Sequence, residues 1–341
     1  MIELDGSSGE GGGQFVRLAV ALSALTGEAI RVTRARARRP QPGLAPQHLA
    51  AVRAVASLCD ARCEGLELRA TDFSFEPRTR PAGGEVRVQV GTAGSITLVL
   101  QALLPMLVRA REPSRVVIIG GTDVRQAPTW DYLQEVLLRL LGRMGLDVRA
   151  SVRRRGYYPR GGGEAVVEVR PQKPRPLVLE GAAGPWSIAG EAHVANLPVA
   201  IAERMRDAAL AAAGVTGDIR VRALGRDVAQ GAGGAITAWA ESPAGLVAAS
   251  RVAERGVRAE ALGEQVGREI ATDIASGANL DVHAADQILI YLALAEGHST
   301  FAVREVTSHA RTTMDLVVRF LPVRYILQAA GPLTRITAFP G

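Results

Sequence analysis

The chain has 341 residues, of which 48% are hydrophobic, 22% charged and only 4% aromatic. This balance is typical of a soluble globular protein with an aliphatic core. It contains no run of about 18 apolar residues, and its first residues lack the basic and apolar regions of a signal peptide. We therefore expect a cytoplasmic protein without a membrane span. Cys59 and Cys63 have no second pair that could complete a zinc site.

The net charge of +6 and the isoelectric point near 10.0 favour a polyanionic partner. Nearly all of the positive charge is arginine, because Lys173 is the only lysine. Lys173 lies in a Pro-Gln-Lys-Pro segment, which suits neither a P-loop nor the nucleophilic lysine of a nucleotide ligase. Covalent nucleotide chemistry in this chain must therefore use another nucleophile.

Hydrophobic periodicity predicts the same βαβαββ order twice in the first half of the chain. The first unit comprises a strand at 2–5, a helix at 14–26, a strand at 29–34, a helix at 47–59, and strands within 62–69 and at 73–76. The second comprises a strand at 85–90, a helix at 95–108, a strand at 115–119, a helix at 130–144, and strands at 147–153 and 164–170. Such self-similarity indicates a repeat architecture.

A third copy follows with an interruption. It comprises an opening strand at 176–179, then a helix at 285–295, a strand at 301–306, a helix at 312–320, and strands at 324–329 and 334–339. The intervening stretch has a βαββα-like pattern with helices at 199–213 and 258–276. The predicted fold is α/β (α+β), with three βαβαββ repeats in a large domain. That domain comprises residues 1–184 and 279–341, and a smaller α/β accessory domain is inserted at 185–278.

The first of three candidate loops is the glycine-rich run from Gly6 to Gln14. Glycine lets the backbone approach a ligand closely, and the helix N-terminus that follows attracts an anion. Glu10 could ligate a divalent metal through oxygen. Arg17, one turn into the helix, could face the same anion or solvent. By itself such a loop is also typical of a solvated turn.

The second loop carries four closely spaced arginines, Arg34, Arg36, Arg38 and Arg39. Guanidinium groups bind phosphate bidentately, so this cluster could bind a nucleic-acid end. A solvated basic loop is the alternative, although self-repulsion in a compact loop favours the functional interpretation. Gln47 and His48 open the next predicted helix within reach of this loop.

The third loop contains Thr307-Ser308-His309, between a predicted strand and a predicted helix. A neutral imidazole is a competent nucleophile, and a phosphoramidate to AMP could pass the nucleotide on. A single histidine in a loop is also commonly a surface or capping residue. His283 and Asp286 start a helix of the same unit. Asp286 could orient an imidazole, bind a metal–nucleotide, or merely complement the helix dipole. His193 has no motif around it.

Together these stretches resemble the RNA 3'-terminal phosphate cyclase family over nearly the whole chain. In chain order the matching pieces are Leu4-Asp-Gly, Gly9-Glu-Gly-Gly-Gly-Gln14, Arg36-Ala-x-Arg39-x-x-Pro-Gly-Leu44, Gln47-His48-Leu, Gly94-Ser-x-Thr-Leu-Val-Leu-Gln101, Gly120-Gly-Thr-Asp123 with Ala127-Pro128, Gly156-Tyr-Tyr-Pro159-x-Gly-Gly-Gly163, His283-x-Ala-Asp-Gln287, Ser308-His309 and Phe320-Leu-Pro-Val-Arg324. One such motif is weak, but the whole set in order is specific. The family fold has three repeats, like those in translation initiation factor three, and a thioredoxin-like insert.

The resemblance implies an ATP-dependent reaction in three steps with a divalent cation, Mg²⁺ or Mn²⁺. The family's nucleophilic histidine, matched by His309, attacks the α-phosphate of ATP and releases pyrophosphate. AMP then moves to an RNA 3'-phosphate, and the adjacent 2'-hydroxyl displaces it to leave a 2',3'-cyclic phosphate. A DNA 3'-phosphate end would be adenylylated and would stop there, because DNA lacks that hydroxyl. No oligomeric state is predicted.

Other site residues follow from the same resemblance. The predicted ATP contacts are Gln101, Pro128, His283, Ala284, Ala285, Asp286 and Gln287. The predicted RNA-phosphate contacts are Arg17, Arg36, Arg39, Gln47 and His48. Glu10 matches the metal carboxylate. Some relatives have tyrosine where this chain has His283, which keeps a flat partner for adenine.

Two other classes share parts of this pattern. Cyclase-like proteins of ribosomal RNA processing have the fold without the nucleophile, and the presence of His309, Gln101 and Asp286 argues against that class. Carboxyvinyl transferases also repeat a βαβαββ unit. They need lysines to bind phosphoenolpyruvate, whereas this chain has one lysine.

Overall fold

The computed structural model describes residues 1–91, 93–181 and 184–341, which form four sheets with packed helices. The first repeat contains β1 (Ile2–Asp5), α1 (Gly13–Thr26), β2 (Ile30–Thr33), α2 (Pro46–Leu58), β3 (Arg62–Glu64) and β4 (Phe73–Glu76). The second contains β5 (Gly84–Gln89), α3 (Ile96–Leu107), β6 (Ser114–Gly120), α4 (Trp130–Tyr132), a π-helical turn (Leu133–Leu137), α5 (Leu138–Arg143), β7 (Asp147–Arg154) and β8 (Gly163–Arg170). The predicted mixed α/β class is confirmed.

The sheets of these two repeats share one topology. Their strand orders are β1-β2-β4-β3 and β5-β6-β8-β7. In each sheet the first pair is parallel and the other pairs are antiparallel. A parallel pair requires a crossover connection, which α1 and α3 supply. Each crossover helix begins just after the first strand, so both repeats present a strand-to-helix loop at the same end of the sheet.

The third repeat departs from the predicted pattern at its opening strand. It contains α8 (Val282–Leu294), β13 (Ser299–Val303), α9 (Ser308–Val317), β14 (Val323–Ala330) and β15 (Leu333–Pro340), with the sheet order β13-β15-β14. The strand predicted at 176–179 is reduced to one parallel bridge between Val178 and Thr300. Pro174 and Pro176 lack the amide hydrogens that a longer ladder needs. Val178 still occupies the edge that β1 and β5 occupy in the other sheets.

Two predicted helices also differ from the observed ones. The helix predicted at 130–144 contains the π-helical turn instead of running as one α-helix. The helix predicted to begin at 312 begins at Ser308, because Thr307 acts as its N-cap. The Thr307 hydroxyl accepts a hydrogen bond of 3.0 Å from the backbone N–H of Ala310.

One hydrophobic cluster joins the three repeats. Helix α1 packs against α2, α3 and α9, while α8 packs against α3, α5 and α9. The largest side chains in this core are Trp130, Tyr132, Tyr291, Phe75 and Phe301. Because helices from all three repeats share this core, their N-terminal loops are brought to a common region.

The inserted stretch forms its own sheet and core. It contains β9 (Ser187–Ala195), α6 (Ala200–Ala213), β10 (Gly217–Leu224), β11 (Gly233–Ser242), β12 (Gly245–Val252) and α7 (Ala259–Ser276). The observed order is βαβββα, one strand more than predicted, and the sheet order is β10-β9-β11-β12. A separate hydrophobic cluster lies between this sheet and helices α6 and α7. The domain boundaries and the thioredoxin-like assignment stay predictions.

Side chains along a strand alternate between the two faces of the sheet. One face of the inserted sheet packs against α6 and α7, and side chains on the other face contact the repeats. In β11, Ile236 packs into the cluster with α6 and α7. Its neighbours Thr237, Trp239 and Glu241 point the other way. Trp239 packs against the main core, and Glu241 forms a salt bridge of 2.6 Å with Arg143. The insertion is thus packed against the repeats through side chains on this second face of β11.

Candidate active site

A cavity of about 720 Å³ opens where loops of all three repeats meet. We call one side the arginine end, which is lined by Glu10, Arg17, Arg36, Arg39, Gln47, His48 and His309. We call the other side the insert end, which is lined by Gln101, residues 124–129, His283, Asp286, Gln287 and the inserted residues Ser250, Arg251, Val252 and Glu254.

All of the predicted site residues line this cavity except Ala284 and Ala285. These two are 1% exposed and belong to the main hydrophobic core. Helix α8 turns His283, Asp286 and Gln287 toward the cavity at i, i+3 and i+4 spacing, which places the two alanines on its other face. The two alanines therefore do not line the cavity, and their contact with the nucleotide stays a prediction.

His309 lies in the first turn of α9 and not in the preceding loop, where the sequence placed it. Its Nδ1 contacts Oε1 of Gln14. The Gln14 amide is oriented by its own Nε2, which donates to Thr313 Oγ1 at 2.9 Å. The carboxamide oxygen then faces the ring, and this contact is a hydrogen bond in the tautomer that carries its hydrogen on Nδ1. This tautomer leaves a lone pair on Nε2.

The surroundings of His309 favour the neutral ring. Partial burial lowers the pKa of His309, and the positive charges of Arg39 and Arg17 lower it further. The Nε2 atom lies 3.8 Å from Oε1 of Glu10. A neutral imidazole with a free Nε2 lone pair is a nucleophile, so the chemical state that the sequence could only suggest follows from these contacts.

The arginine end holds three guanidinium groups in different environments. Arg39 forms an ion pair with Glu10. Arg36 donates to the carbonyl oxygen of Gly43 at 2.6 Å. Arg17 is buried, and burial followed by repulsion from Arg36 lowers the pKa of Arg17 to about 10. Its Nε has no hydrogen-bond partner among the described residues. Three guanidinium groups meet here, so this end suits an anion.

His48 is also held in one neutral tautomer. Its Nδ1 accepts a hydrogen bond of 3.2 Å from the backbone N–H of Ala45, so Nε2 carries the hydrogen. Burial, with repulsion from Arg17 and the neighbouring arginines, lowers the pKa of His48 to about 3. Nε2 lies against Gly13, where an added Cβ would stand 2.0 Å away. Glycine at this position leaves room for the ring, which offers an uncharged N–H donor.

A chain of hydrogen bonds connects the two ends. Arg17 donates to Oε1 of Gln101 at 3.2 Å. Gln101 then donates to Oε1 of Gln287 at 3.0 Å, and Gln287 donates to the carbonyl oxygen of His283 at 3.1 Å. The amide orientations at the insert end therefore depend on a cation at the arginine end.

Asp286 connects α8 with the turn that carries His309. Its Oδ1 accepts a hydrogen bond of 2.7 Å from the hydroxyl of Thr307, the N-cap of α9. Burial raises the pKa of Asp286 to about 7, although the Thr307 hydrogen bond acts in the opposite direction. The position of Asp286 is thus tied to the start of the helix that carries His309.

Comparison with known proteins identifies the family. A family model described as RNA 3'-terminal phosphate cyclase matches residues 8–327. The chain belongs to the RNA 3'-terminal phosphate cyclase family. A protein of that name from Nitrosospira multiformis is 50% identical over 343 residues, covering 100% of this chain and 97% of the relative. Another from Pyrobaculum neutrophilum is 42% identical over 336 residues, covering 97% of this chain and 96% of the relative.

Among solved structures, the enolpyruvyl transferase NikO from Streptomyces tendae aligns with a TM-score of 0.39 and 13% identity. The alignment covers 99% of this chain and 48% of that chain. In the ranges described for this cyclase-family chain, no helix is long and apolar enough to cross a membrane.

A buried charge cluster beside the cavity of this family member was missed by sequence reasoning. Arg155 forms ion pairs of 3.1 Å with Asp123 and 2.6 Å with Asp131. His193 of the insert is 0% exposed and lies 3.6 Å from Asp131 and 3.9 Å from Asp123. Burial and Arg155 lower the pKa of His193, whereas the carboxylates and Glu191 oppose them. Because the guanidinium already bonds to both aspartates, we interpret this cluster as an ion-pair network between the repeats and the inserted stretch and not as a metal site.

Proposed function

We propose that this chain is an ATP-dependent RNA 3'-terminal phosphate cyclase, a ligase that forms a phosphoric ester through a covalent histidine–AMP intermediate. The observation that carries the proposal is the orientation of His309. Its Nδ1–H is engaged by Gln14, and its Nε2 lies within the cavity beside Glu10. This arrangement prepares one ring nitrogen for attack on phosphorus.

In the first step, Nε2 of His309 forms a bond to the α-phosphorus of ATP, and the bond to the pyrophosphate oxygen breaks. Arg17 and Arg39 supply positive charge where negative charge accumulates on the phosphates. The N-terminus of α9, which carries His309, adds the favourable end of a helix dipole. These features stabilise the transition state more than the free nucleotide.

The residues present fit a divalent cation. Mg²⁺ is usually bound by one or two carboxylates together with substrate phosphates, and Glu10 is a cavity carboxylate beside the nucleophile. When bound there, the ion would neutralise charge on the phosphate oxygens. Glu10 would then no longer need Arg39 as its partner, so Arg39 would become available to a phosphate group.

In the second step, a phosphate oxygen at the RNA 3' end attacks the α-phosphorus, and the bond to His309 breaks. Arg36, Arg39, Gln47 and the Nε2–H of His48 line the end of the cavity where this 3'-phosphate would bind. In the third step, the 2'-hydroxyl oxygen bonds to the terminal phosphorus and loses its proton, and AMP leaves. A DNA end would stop after the second step, since it has no 2'-hydroxyl.

The adenosine part of ATP would occupy the insert end. Gln101, Pro128, Asp286 and Gln287 line this end together with His283, whose flat ring is suited to packing on a base. The free cysteines fit a reducing compartment, and we propose a cytoplasmic location.

The test is self-adenylylation with α-labelled ATP and a divalent ion, analysed on a denaturing gel. We expect an acid-labile, alkali-stable protein label that is lost in His309→Asn and His309→Ala. The control is His298→Asn, because His298 stacks on Phe339, and neither residue lines the cavity. Label retained in both His309 variants would overturn the histidine assignment. No label in the wild type would favour a non-adenylylating cyclase-like role in ribosomal RNA processing.

A further inference from the structure

The six-residue segment 124–129 forms a wall of the cavity at the insert end. The residues just before and just after the segment are hydrogen-bonded to each other. Oδ1 of Asp123 accepts a hydrogen bond of 3.2 Å from the backbone N–H of Trp130. Within the segment, the carbonyl oxygen of Pro128 accepts a hydrogen bond of 2.8 Å from the hydroxyl of Thr97 in α3. These contacts come from the second repeat alone.

A third support comes from the inserted sheet. The hydroxyls of Thr129 and Thr237 are 2.7 Å apart, and the two residues are 1% and 0% exposed. Thr129 is also the N-cap of α4 and accepts a hydrogen bond of 3.2 Å from the backbone N–H of Tyr132. Its own hydroxyl hydrogen is therefore free to be donated to Thr237. Without Thr237, the Thr129 hydroxyl would keep its cap but lose a partner in a buried place.

A fourth contact to the same wall is a salt bridge near the surface. Glu254, which follows β12, forms a salt bridge of 3.2 Å with Arg125. Both residues line the cavity, as do the adjacent inserted residues 250–252. Arg125 is 69% exposed, so this pair is screened by solvent and contributes less than the buried threonine pair.

We propose that the inserted domain is part of the nucleotide site, with Thr237 as a positioning residue that fixes the wall 124–129 through Thr129. In this role the insertion sets the affinity for ATP and leaves the reactivity of His309 and the binding of the RNA end unchanged. Glu254 supports the same wall through Arg125. The inference rests on the proposed function, because it places the adenosine of ATP against this wall.

The experiment measures the rate of self-adenylylation against ATP concentration in the full chain. For Thr237→Val we expect the half-saturating ATP concentration to rise about tenfold, as for loss of a buried hydrogen bond, with a limiting rate within about twofold of wild type. Thr237→Ser keeps the hydroxyl and should restore the wild-type value. Glu254→Gln should raise the half-saturating concentration about two- to threefold.

A matched control separates positioning from stability. Thr300 forms the same kind of hydroxyl pair with Thr337, 3.1 Å apart, and neither residue lines the cavity. Thr300→Val should lower the thermal unfolding midpoint about as much as Thr237→Val while leaving the ATP dependence unchanged. An unchanged ATP dependence in Thr237→Val, or an equal shift in Thr300→Val, would overturn the inference.

The two proposals fail in different ways. A wild-type chain that takes no label from ATP contradicts the proposed function. A wild-type chain that labels normally, beside a folded Thr237→Val with unchanged ATP dependence, contradicts only the role of the insertion. If Thr237→Val does not fold, Glu254→Gln decides, because that pair is at the surface. An ATP dependence identical to wild type in Glu254→Gln then counts against the inference.

Discussion

The arginine end and the insert end of the cavity differ in charge and in what holds them. The arginine end is built from short segments of the first and third repeats, and Arg17, Arg36 and Arg39 dominate it. The insert end contains amides, one buried carboxyl and a wall supported by a separate sheet. Under the proposed function, the chemistry depends on the charges of the arginine end, whereas nucleotide affinity depends on the wall that the inserted sheet supports.

The largest effect is expected for substitution of Arg17. This residue belongs to the arginine end and donates a hydrogen bond to Gln101 of the insert end. Arg17→Met should lower the limiting rate of self-adenylylation at least about 100-fold, because a preorganised charged donor contributes about 3 kcal/mol to transition-state stabilisation. Stopped assays at saturating ATP would measure this rate.

Arg53→Met provides the control, since Arg53 is exposed on α2 and does not line the cavity. It should leave the rate unchanged. A loss below about threefold in Arg17→Met would show that the arginine end does not provide the main electrostatic stabilisation.

A smaller effect should distinguish the transfer of AMP to RNA from self-adenylylation. Arg39→Ala should slow transfer of AMP to an RNA 3'-phosphate about tenfold, for the loss of about 1.4 kcal/mol of binding. Self-adenylylation should change less, because the same substitution frees the Glu10 carboxylate from its ion pair. Single-turnover assays of each step would measure both effects.

Arg34→Ala is the matched variant from the same loop, where Arg34 is exposed and pairs with Asp5. It should leave both steps close to wild type. Equal losses in the two steps for Arg39→Ala would contradict the placement of this arginine at the RNA end.

The smallest effect concerns stability against pH, and its sign differs between the ends. The pKa of His48 falls to about 3 on folding, so its contribution to stability is present above the unfolded value of 6.5 and is lost as pH falls below it. The pKa of Asp286 rises to about 7, so its contribution is present below 3.8 and is lost as pH rises through 7. Between pH 4 and 6.5 the two contributions oppose each other.

Unfolding midpoints of His48→Gln and Asp286→Asn across that window would test these signs. Relative to wild type, His48→Gln should lose stability less steeply as pH falls. Asp286→Asn should lose it more steeply, because the opposing carboxyl is gone. Parallel curves for all three proteins would show that neither group changes its pKa on folding.

The arginine end was largely predictable because its signals are local in sequence. A glycine-rich loop, an arginine cluster and a histidine before a helix are visible without a structure, and the family resemblance added their roles. The tautomer of His309 was not predictable, because Gln14 and Thr313 meet it only after the first and third repeats pack together.

At the insert end, the sequence did not reveal which side chains of α8 face the cavity or which distant residues support its wall. Ala284 and Ala285 lie inside a matching motif but on the buried face of α8. Thr237 lies 108 positions from Thr129 and has no motif around it. The extra strand of the insertion and the proline-limited opening of the third repeat likewise depend on pairing partners that periodicity does not reveal.

Locating AMP on the protein tests the proposed role of His309 most directly. Wild-type protein would be incubated with ATP and a divalent ion, digested at alkaline pH, and mapped by tandem mass spectrometry. We expect one adenylylated peptide with AMP on the imidazole of His309. Brief acid treatment should remove the adduct, and later addition of an RNA 3'-phosphate should discharge it. AMP on Lys173 or on another histidine, or an adduct that RNA does not discharge, would contradict the covalent role of His309.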